Sequence, residues 1–331
     1  MKLNLEQVRS VTQGAESVER ENGYFRFYRF IPEEARMVGD EIVIRPAGVG
    51  LEFRTDGSAL ILKGRSFDIM ETIRSYFCVD VFVDGILAGC VRNIPEAECV
   101  GNYAEKKYPL GDFEERIALP AGEKTVRIQL PHSAGVEFSE IGLENAALLE
   151  PVPREKTLIL YGDSITQGYD SAHASGTYAV RVAEGLGMEL FNKGVGGMGF
   201  TPQFAAIPNP RKADLLIVAY GTNDWTCQSR EALQSSAAGF VQALRQRHPE
   251  TPICVLTPVW REDYQAEKKF GPFTELETVL RAACRQIPGV KVISGFDLIP
   301  HDKSYYGDLW LHPSDEGFRH FAENLLRQIQ L

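Results

Sequence analysis

The stretch Thr157-Leu158-Ile159-Leu160-Tyr161-Gly162-Asp163-Ser164-Ile165-Thr166 opens the second half of this 331-residue chain and decides its fold. Residues 157–161 form a short, largely apolar run closed by glycine, which predicts a buried strand. The Gly-Asp-Ser that follows places a serine just past the strand end. The same punctuation repeats downstream. Further strands are expected over 188–191, 213–220, 252–256 and 290–294. Helices are expected over 178–186, 230–247, 275–286 and 315–329, the last capped by Ser314. Strands alternating with helices predict a parallel sheet covered on both faces, a three-layer α/β/α domain. Ligands bind such sheets beyond the carboxyl ends of the strands, where Ser164, Gly197 and Asn223 fall.

Before residue 150 the periodicity is different. Residues 41–45, 50–54, 78–83 and 125–130 alternate apolar and polar side chains, the pattern of half-buried strands. Asp56-Gly57 and Asp84-Gly85 are turn signals beside them. Many short strands and no strong helical stretch predict an all-β sandwich of jelly-roll type. Pro151-Val152-Pro153 lacks two backbone donors and makes a stiff junction. The expected domains are therefore a β-sandwich over 1–150 and an α/β domain over 155–331.

A net charge of −10 argues against sequence-independent nucleic-acid binding, which needs clustered Lys and Arg. No apolar run approaches the roughly 18 residues of a membrane span. The first residues lack the apolar core of a secretory signal. Six cysteines show neither a CxxC pair nor a zinc-type spacing, so reduced core thiols are expected. Together these features predict a cytoplasmic protein with no membrane partner, and they fix no oligomeric state.

Four segments in the second half carry the chemistry: Gly162-Asp163-Ser164-Ile165-Thr166, Asn192-Lys193-Gly194-Val195-Gly196-Gly197, Gly221-Thr222-Asn223-Asp224 and Asp308-Leu309-Trp310-Leu311-His312-Pro313. Serine is a weak nucleophile until a base takes its proton, and an imidazole titrating near neutrality is the natural base. Pro313 fixes the entry into the last helix and so the direction of His312. Thr166 stands where G-x-S-x-G would need glycine, which sets aside the α/β-hydrolase elbow. Gly194, Gly196 and Gly199 fit G-x-G-x-x-G, but Pro202, Pro208 and Pro210 interrupt the helix that a dinucleotide fold requires there.

These four segments, in this order, resemble the SGNH or GDSL-type hydrolases. The resemblance covers roughly residues 155 to 331. It implies Ser164 as nucleophile and His312 as general base. It implies an oxyanion hole made by the Ser164 N–H, the Gly197 N–H and the Asn223 amide. The stretches 46–56 and 133–138 are similar to the jelly-roll domain that precedes the hydrolase in family-two carbohydrate esterases. No metal and no other cofactor is implied.

The chain departs from the family in one place. D-x-x-H would put the acid at 309, but that residue is Leu309, and Asp308 lies one position further from His312. Three readings stand: Asp308 reaches the imidazole through a local bulge aided by Gly307, a backbone carbonyl orients the ring, or another carboxylate such as Asp302 serves. Aromatic residues crowd the expected mouth, among them Tyr169, Phe200, Trp260, Tyr305 and Tyr306. Trp225 and Trp310, each within two residues of a proposed catalytic residue, are the candidate substrate platforms.

The expected function is a serine-dependent carbohydrate O-acetylesterase acting on plant-derived oligo- or polysaccharides, with a small-molecule or oligosaccharide ester as its partner. Other ester chemistry on the same site is the rival: a thioesterase, a lysophospholipase or a general arylesterase. A sugar-binding module without activity is the second rival, and the displaced Asp308 is its only support.

Overall fold

The alternating runs of the first half become strands whose inward residues are apolar. The chain is described by a computed structural model over residues 1–39, 43–67, 74–99, 103 and 106–329. It divides into two units, 1–155 with 172–175, and 156–171 with 176–331. The division thus falls after Glu155, and four residues from beyond it cluster with the first unit.

In the first unit the strands are β1 (Thr12–Gln13), β2 (Ser17–Glu21), β3 (Tyr24–Tyr28), β4 (Gly50–Thr55), β5 (Ala59–Phe67), β6 (Cys78–Val83), β7 (Ile86–Arg92), β8 (Asp112–Ala118), β9 (Lys124–Gln129), β10 (Gly135–Glu144) and β11 (Leu149–Pro151). One antiparallel sheet runs β1-β4-β9-β6-β7, with β11 beside β4, and the other runs β2-β3-β10-β5-β8. Leu51, Phe53, Val79, Val81, Val126 and Ile128 of the first share one core with Phe25, Phe27, Leu60, Leu62 and Phe138 of the second. Each such side chain contributes roughly 1.5–3 kcal/mol by leaving water. The result is a β-sandwich.

Two local expectations fail here. Of the run expected as a strand over 41–45, Glu41 and Ile42 lie outside the described residues, and Val43, Ile44 and Arg45 belong to no strand. The Arg45 carbonyl accepts from the Arg29 side chain at 2.6 Å, and Pro46 offers no backbone donor to a neighbour. Helices also form at Leu5–Val11 and Pro32–Val38. The first has a full capping box: the Asn4 side chain accepts from Gln7 N, and the Gln7 side chain accepts from Asn4 N.

The second unit holds five parallel strands, β12 (Lys156–Gly162), β13 (Met188–Gly194), β14 (Leu215–Ala219), β15 (Ile253–Leu256) and β16 (Val290–Ile293). Their order is β13-β12-β14-β15-β16. Alternate residues of β12 serve opposite faces. Leu158 and Leu160 join a core with Tyr178, Val182, Phe318 and Phe321 from helices Tyr178–Leu186 and Asp315–Gln328. Tyr161 meets Phe204 and Phe240 edge-on, the latter from helix Arg230–Arg247. This is the three-layer α/β/α arrangement. Because β13 and β14 flank β12 on opposite sides, the chain reverses its winding at β12, and a crevice opens above it. No helix among the described residues is long and apolar enough to cross a membrane.

Candidate active site

The crevice receives Ser164 first. β12 ends at Gly162, and the Asp163 side chain then accepts from Ile165 N at 2.9 Å, capping the single helical turn Ser164–Gln167. Any side chain at 162 would collide, since a Cβ there would stand 1.9 Å from Thr166 Oγ1 and 2.8 Å from the Ala219 carbonyl. The turn is thus pressed against the strand ends, and Ser164 is only 6% exposed. Its Oγ lies 2.8 Å from His312 Nε2. Burial pushes the Asp163 carboxyl up to about 7, so it is a structural cap that holds a proton easily.

His312 is placed by a closed loop. Tyr306 and Pro313 form an isolated bridge, and Gly307 N donates to the His312 carbonyl at 2.8 Å. Inside the loop the Asp308 carboxylate does two things. Its Oδ1 accepts from the N–H groups of Trp310, Leu311 and His312 at 2.9, 2.7 and 3.0 Å. Its Oδ2 lies 2.7 Å from His312 Nδ1. The extra residue is absorbed at Leu309, which sits at a left-handed φ of 59°. The bulge therefore resides at Leu309, not at Gly307. Asp302 is exposed and caps Ser304 N instead, far from this role.

A second carboxylate reaches the same nitrogen. Asp170 Oδ2 lies 3.4 Å from His312 Nδ1, and Asp170 has no exposed surface. Gly168 ends the Ser164 turn in a left-handed conformation, and Asp170 itself has a φ of 68°, which folds the chain back toward the imidazole. Ser171 Oγ bonds the Asp315 carboxylate at the start of the last helix and holds this return in place. Burial draws the His312 pKa down, but hydrogen bonds and charge from Asp170 and Asp308 outweigh it and hold it up at about 9. Sequence reasoning missed Asp170, because it belongs to none of the four motifs and its backbone conformation has no residue signature.

The other two segments meet beside Ser164. Gly197 is exposed at the crevice with a φ of 78°, and a Cβ there would touch nothing, so backbone conformation is what asks for glycine. Asn223 donates from Nδ2 to the Met198 carbonyl at 3.0 Å, which fixes the amide and leaves its second N–H to point elsewhere. Asp224 ties the two segments together, its Oδ1 accepting from Phe200 N at 3.1 Å and Gln228 Nε2 at 2.7 Å. Gly196 N is held in turn by the Gln167 side chain at 3.0 Å.

The aromatic platform needs correction. Trp225 is wholly buried, edge-on to Phe273, with its indole N–H donated to the Gly271 carbonyl at 2.9 Å. It offers no face to a sugar. It follows Asn223 by two residues on helix Thr222–Cys227, and that spacing turns it toward the core. Phe200, Trp260 and Tyr306 are buried too, Tyr169 and Tyr305 are half-buried, and Trp310 is 43% exposed. The Tyr169 ring stands 5.6 Å from the His312 ring.

A parallel α/β domain with a serine, an imidazole and carboxylates in line at its switch point defines the class of the site. Residues 160–320 match the model of the GDSL-like lipase/acylhydrolase family. The chain carries a GDSL-type ester hydrolase in its second half. Among solved structures it is similar to a salicylyl-acyltransferase from a tetracycline biosynthetic pathway, at 24% identity and a TM-score of 0.76, covering 96% of this chain and 92% of that one. A family-two carbohydrate esterase from Clostridium thermocellum in complex with cellohexaose gives 17% identity, a TM-score of 0.62, and coverage of 86% and 92%. An acetyl xylan esterase from the rumen bacterium Butyrivibrio proteoclasticus gives 14%, 0.64, and coverage of 99% and 97%. Comparison with curated protein sequences finds no match.

Proposed function

We propose that this chain is a serine-dependent carbohydrate O-acetylesterase acting on plant-derived oligosaccharides in the cytoplasm. One observation carries the mechanism: the continuous line Ser164 Oγ, His312 Nε2, His312 Nδ1, Asp308 Oδ2, with steps of 2.8 and 2.7 Å. In this reading His312 takes the Ser164 proton as Oγ attacks the ester carbonyl. The Ser164 and Gly197 N–H groups and the Asn223 amide receive the oxyanion. His312 returns the proton to the leaving sugar hydroxyl, and water then repeats the cycle on the acetyl-enzyme, releasing acetate. The substrate class rests on the two-domain likeness to carbohydrate esterases, and exposed Trp310 supplies one ring face for a sugar. The test is acetate release from acetylated xylo-, manno- and cello-oligosaccharides. Absence of turnover on all of them, with turnover of acyl thioesters or lysophospholipids, rejects the carbohydrate substrate.

A second reading has its own support. The acyltransferase likeness has the higher TM-score, 0.76 against 0.62 and 0.64 for the two esterases. In that reading an alcohol, not water, receives the acyl group. Adding acceptor alcohols and measuring the ratio of acyl product to free acid separates the two.

A further inference from the structure

A second cluster of chemically capable side chains lies within the first unit. On β6 the core takes Val79 and Val81, so Cys78 and Asp80 share the opposite face. Residues 172–175 cover that face, and both side chains are buried. Cys78 Sγ is 3.1 Å from Asp80 Oδ1, His173 Nδ1 is 2.8 Å from the same oxygen, and the sulfur and the nitrogen are 3.7 Å apart. A tetrahedral zinc ion with bonds of about 2.0–2.3 Å sets its ligand atoms about 3.3–3.6 Å from one another. The three atoms stand within about half an ångström of those spacings.

The surroundings are those of ligands already aimed. Asp80 Oδ2 is held by Ser175 N and Ser175 Oγ at 2.8 and 2.7 Å, which leaves Oδ1 to face the cluster. His173 turns its other nitrogen, Nε2, to Glu96 at 3.7 Å, and Glu96 is itself held by Arg92. An imidazole backed by a carboxylate is the usual setting of a metal-bound histidine. Cys90 pairs across from Asp80 in the β6–β7 register, so a second thiol stands on the same face.

We propose that Cys78, Asp80 and His173 form a zinc site that fastens residues 172–175 to β6. On binding, the thiol proton of Cys78 leaves to solvent, and His173 gives up any Nδ1 proton while keeping one on Nε2, so that it ligates as neutral imidazole. One thiolate and one carboxylate then balance the charge of the ion. The site departs from the expectation of no metal, which followed from the cysteine spacing and the family resemblance; Cys78 and His173 are 95 residues apart.

The test uses the full chain, reduced and stripped of metal, titrated with cobalt(II). One equivalent is expected to produce a thiolate-to-cobalt charge-transfer band that one equivalent of zinc removes. Cys78→Ser should abolish the band, Cys227→Ser should leave it unchanged, and Glu96→Gln should weaken affinity about 10–100-fold. Should Cys78→Ser fail to fold, His173→Gln takes its place with the same expected loss. No stoichiometric band in the folded wild-type protein overturns the proposal. So does a band that survives both Cys78→Ser and His173→Gln.

Discussion

The two carboxylates at His312 Nδ1 make a sharp prediction through a double-mutant cycle. With an effective dielectric of about 20, charges at 2.7 and 3.4 Å from the imidazolium are worth about 6 and about 5 kcal/mol. Losing Asp308 therefore leaves nearly half of the electrostatic support, and a carboxylate still in reach of the Nδ1 proton. A lone triad acid is worth roughly 10⁴ in kcat. Asp308→Asn keeps an oxygen for the three loop N–H groups, so the loop survives and the acid alone is removed. We expect a loss of about 10² for Asp308→Asn, about tenfold for Asp170→Asn, and about 10⁴ for the pair, a coupling of about 1.4 kcal/mol. Stopped-flow acylation with a chromogenic acetyl ester reads these values directly. If Asp308→Asn alone loses the full 10⁴ while Asp170→Asn is silent, Asp170 takes no part in holding the proton, and the reasoning fails.

Further expectations can be checked on the same material. Ser164→Ala should remove several orders of magnitude in rate without changing the circular dichroism spectrum, and a folded variant with normal turnover would reject the serine mechanism. Asn223→Ala should lower kcat by roughly 10²–10³ with little change in KM; a change confined to KM makes it a substrate ligand. Because the carboxylates hold His312 up at about 9, kcat/KM should climb as pH rises from neutrality through that value. Asp170→Asn removes one negative charge from the imidazolium, so this limb should move to lower pH; a limb that stays put or moves up contradicts the electrostatic account. Leu309→Gly relieves a left-handed side-chain residue and should leave the melting temperature unchanged or higher, whereas Leu309→Val should lower it.

The parts of the site that were legible in the sequence are those written in short local motifs. Ser164, Gly197 and Asn223 each follow a strand whose apolar run announces it, and Ser314 caps the last helix as its identity suggests. Asp308 was legible as a candidate only, since whether it reaches His312 depends on the φ of Leu309. Asp170 was illegible for the same reason. Trp225 misled because nearness along the chain to Asn223 says nothing about direction on a helical turn. Helix Leu5–Val11 is announced only by its Asn4 and Gln7 cap, because seven residues are too few for a helical period to stand out from the β pattern around them.

The left-handed residue in the His312 loop has an effect outside the chemistry. Turning the backbone there sends the Leu309 side chain outward, and Leu309 and Trp310 are both among the large apolar side chains left exposed, at 37% and 43%. The insertion that restores the acid thus also raises an oily lip beside the crevice. Below that lip, Arg261 lies 5.0 Å from the Trp310 ring and donates to Thr222, next to Asn223. Position 309 serves the acid through its backbone, so side chains without a β-branch are free to vary there. Selectivity for the alcohol half of an ester could therefore drift at this rim, or be engineered there, with the proton path beneath it untouched.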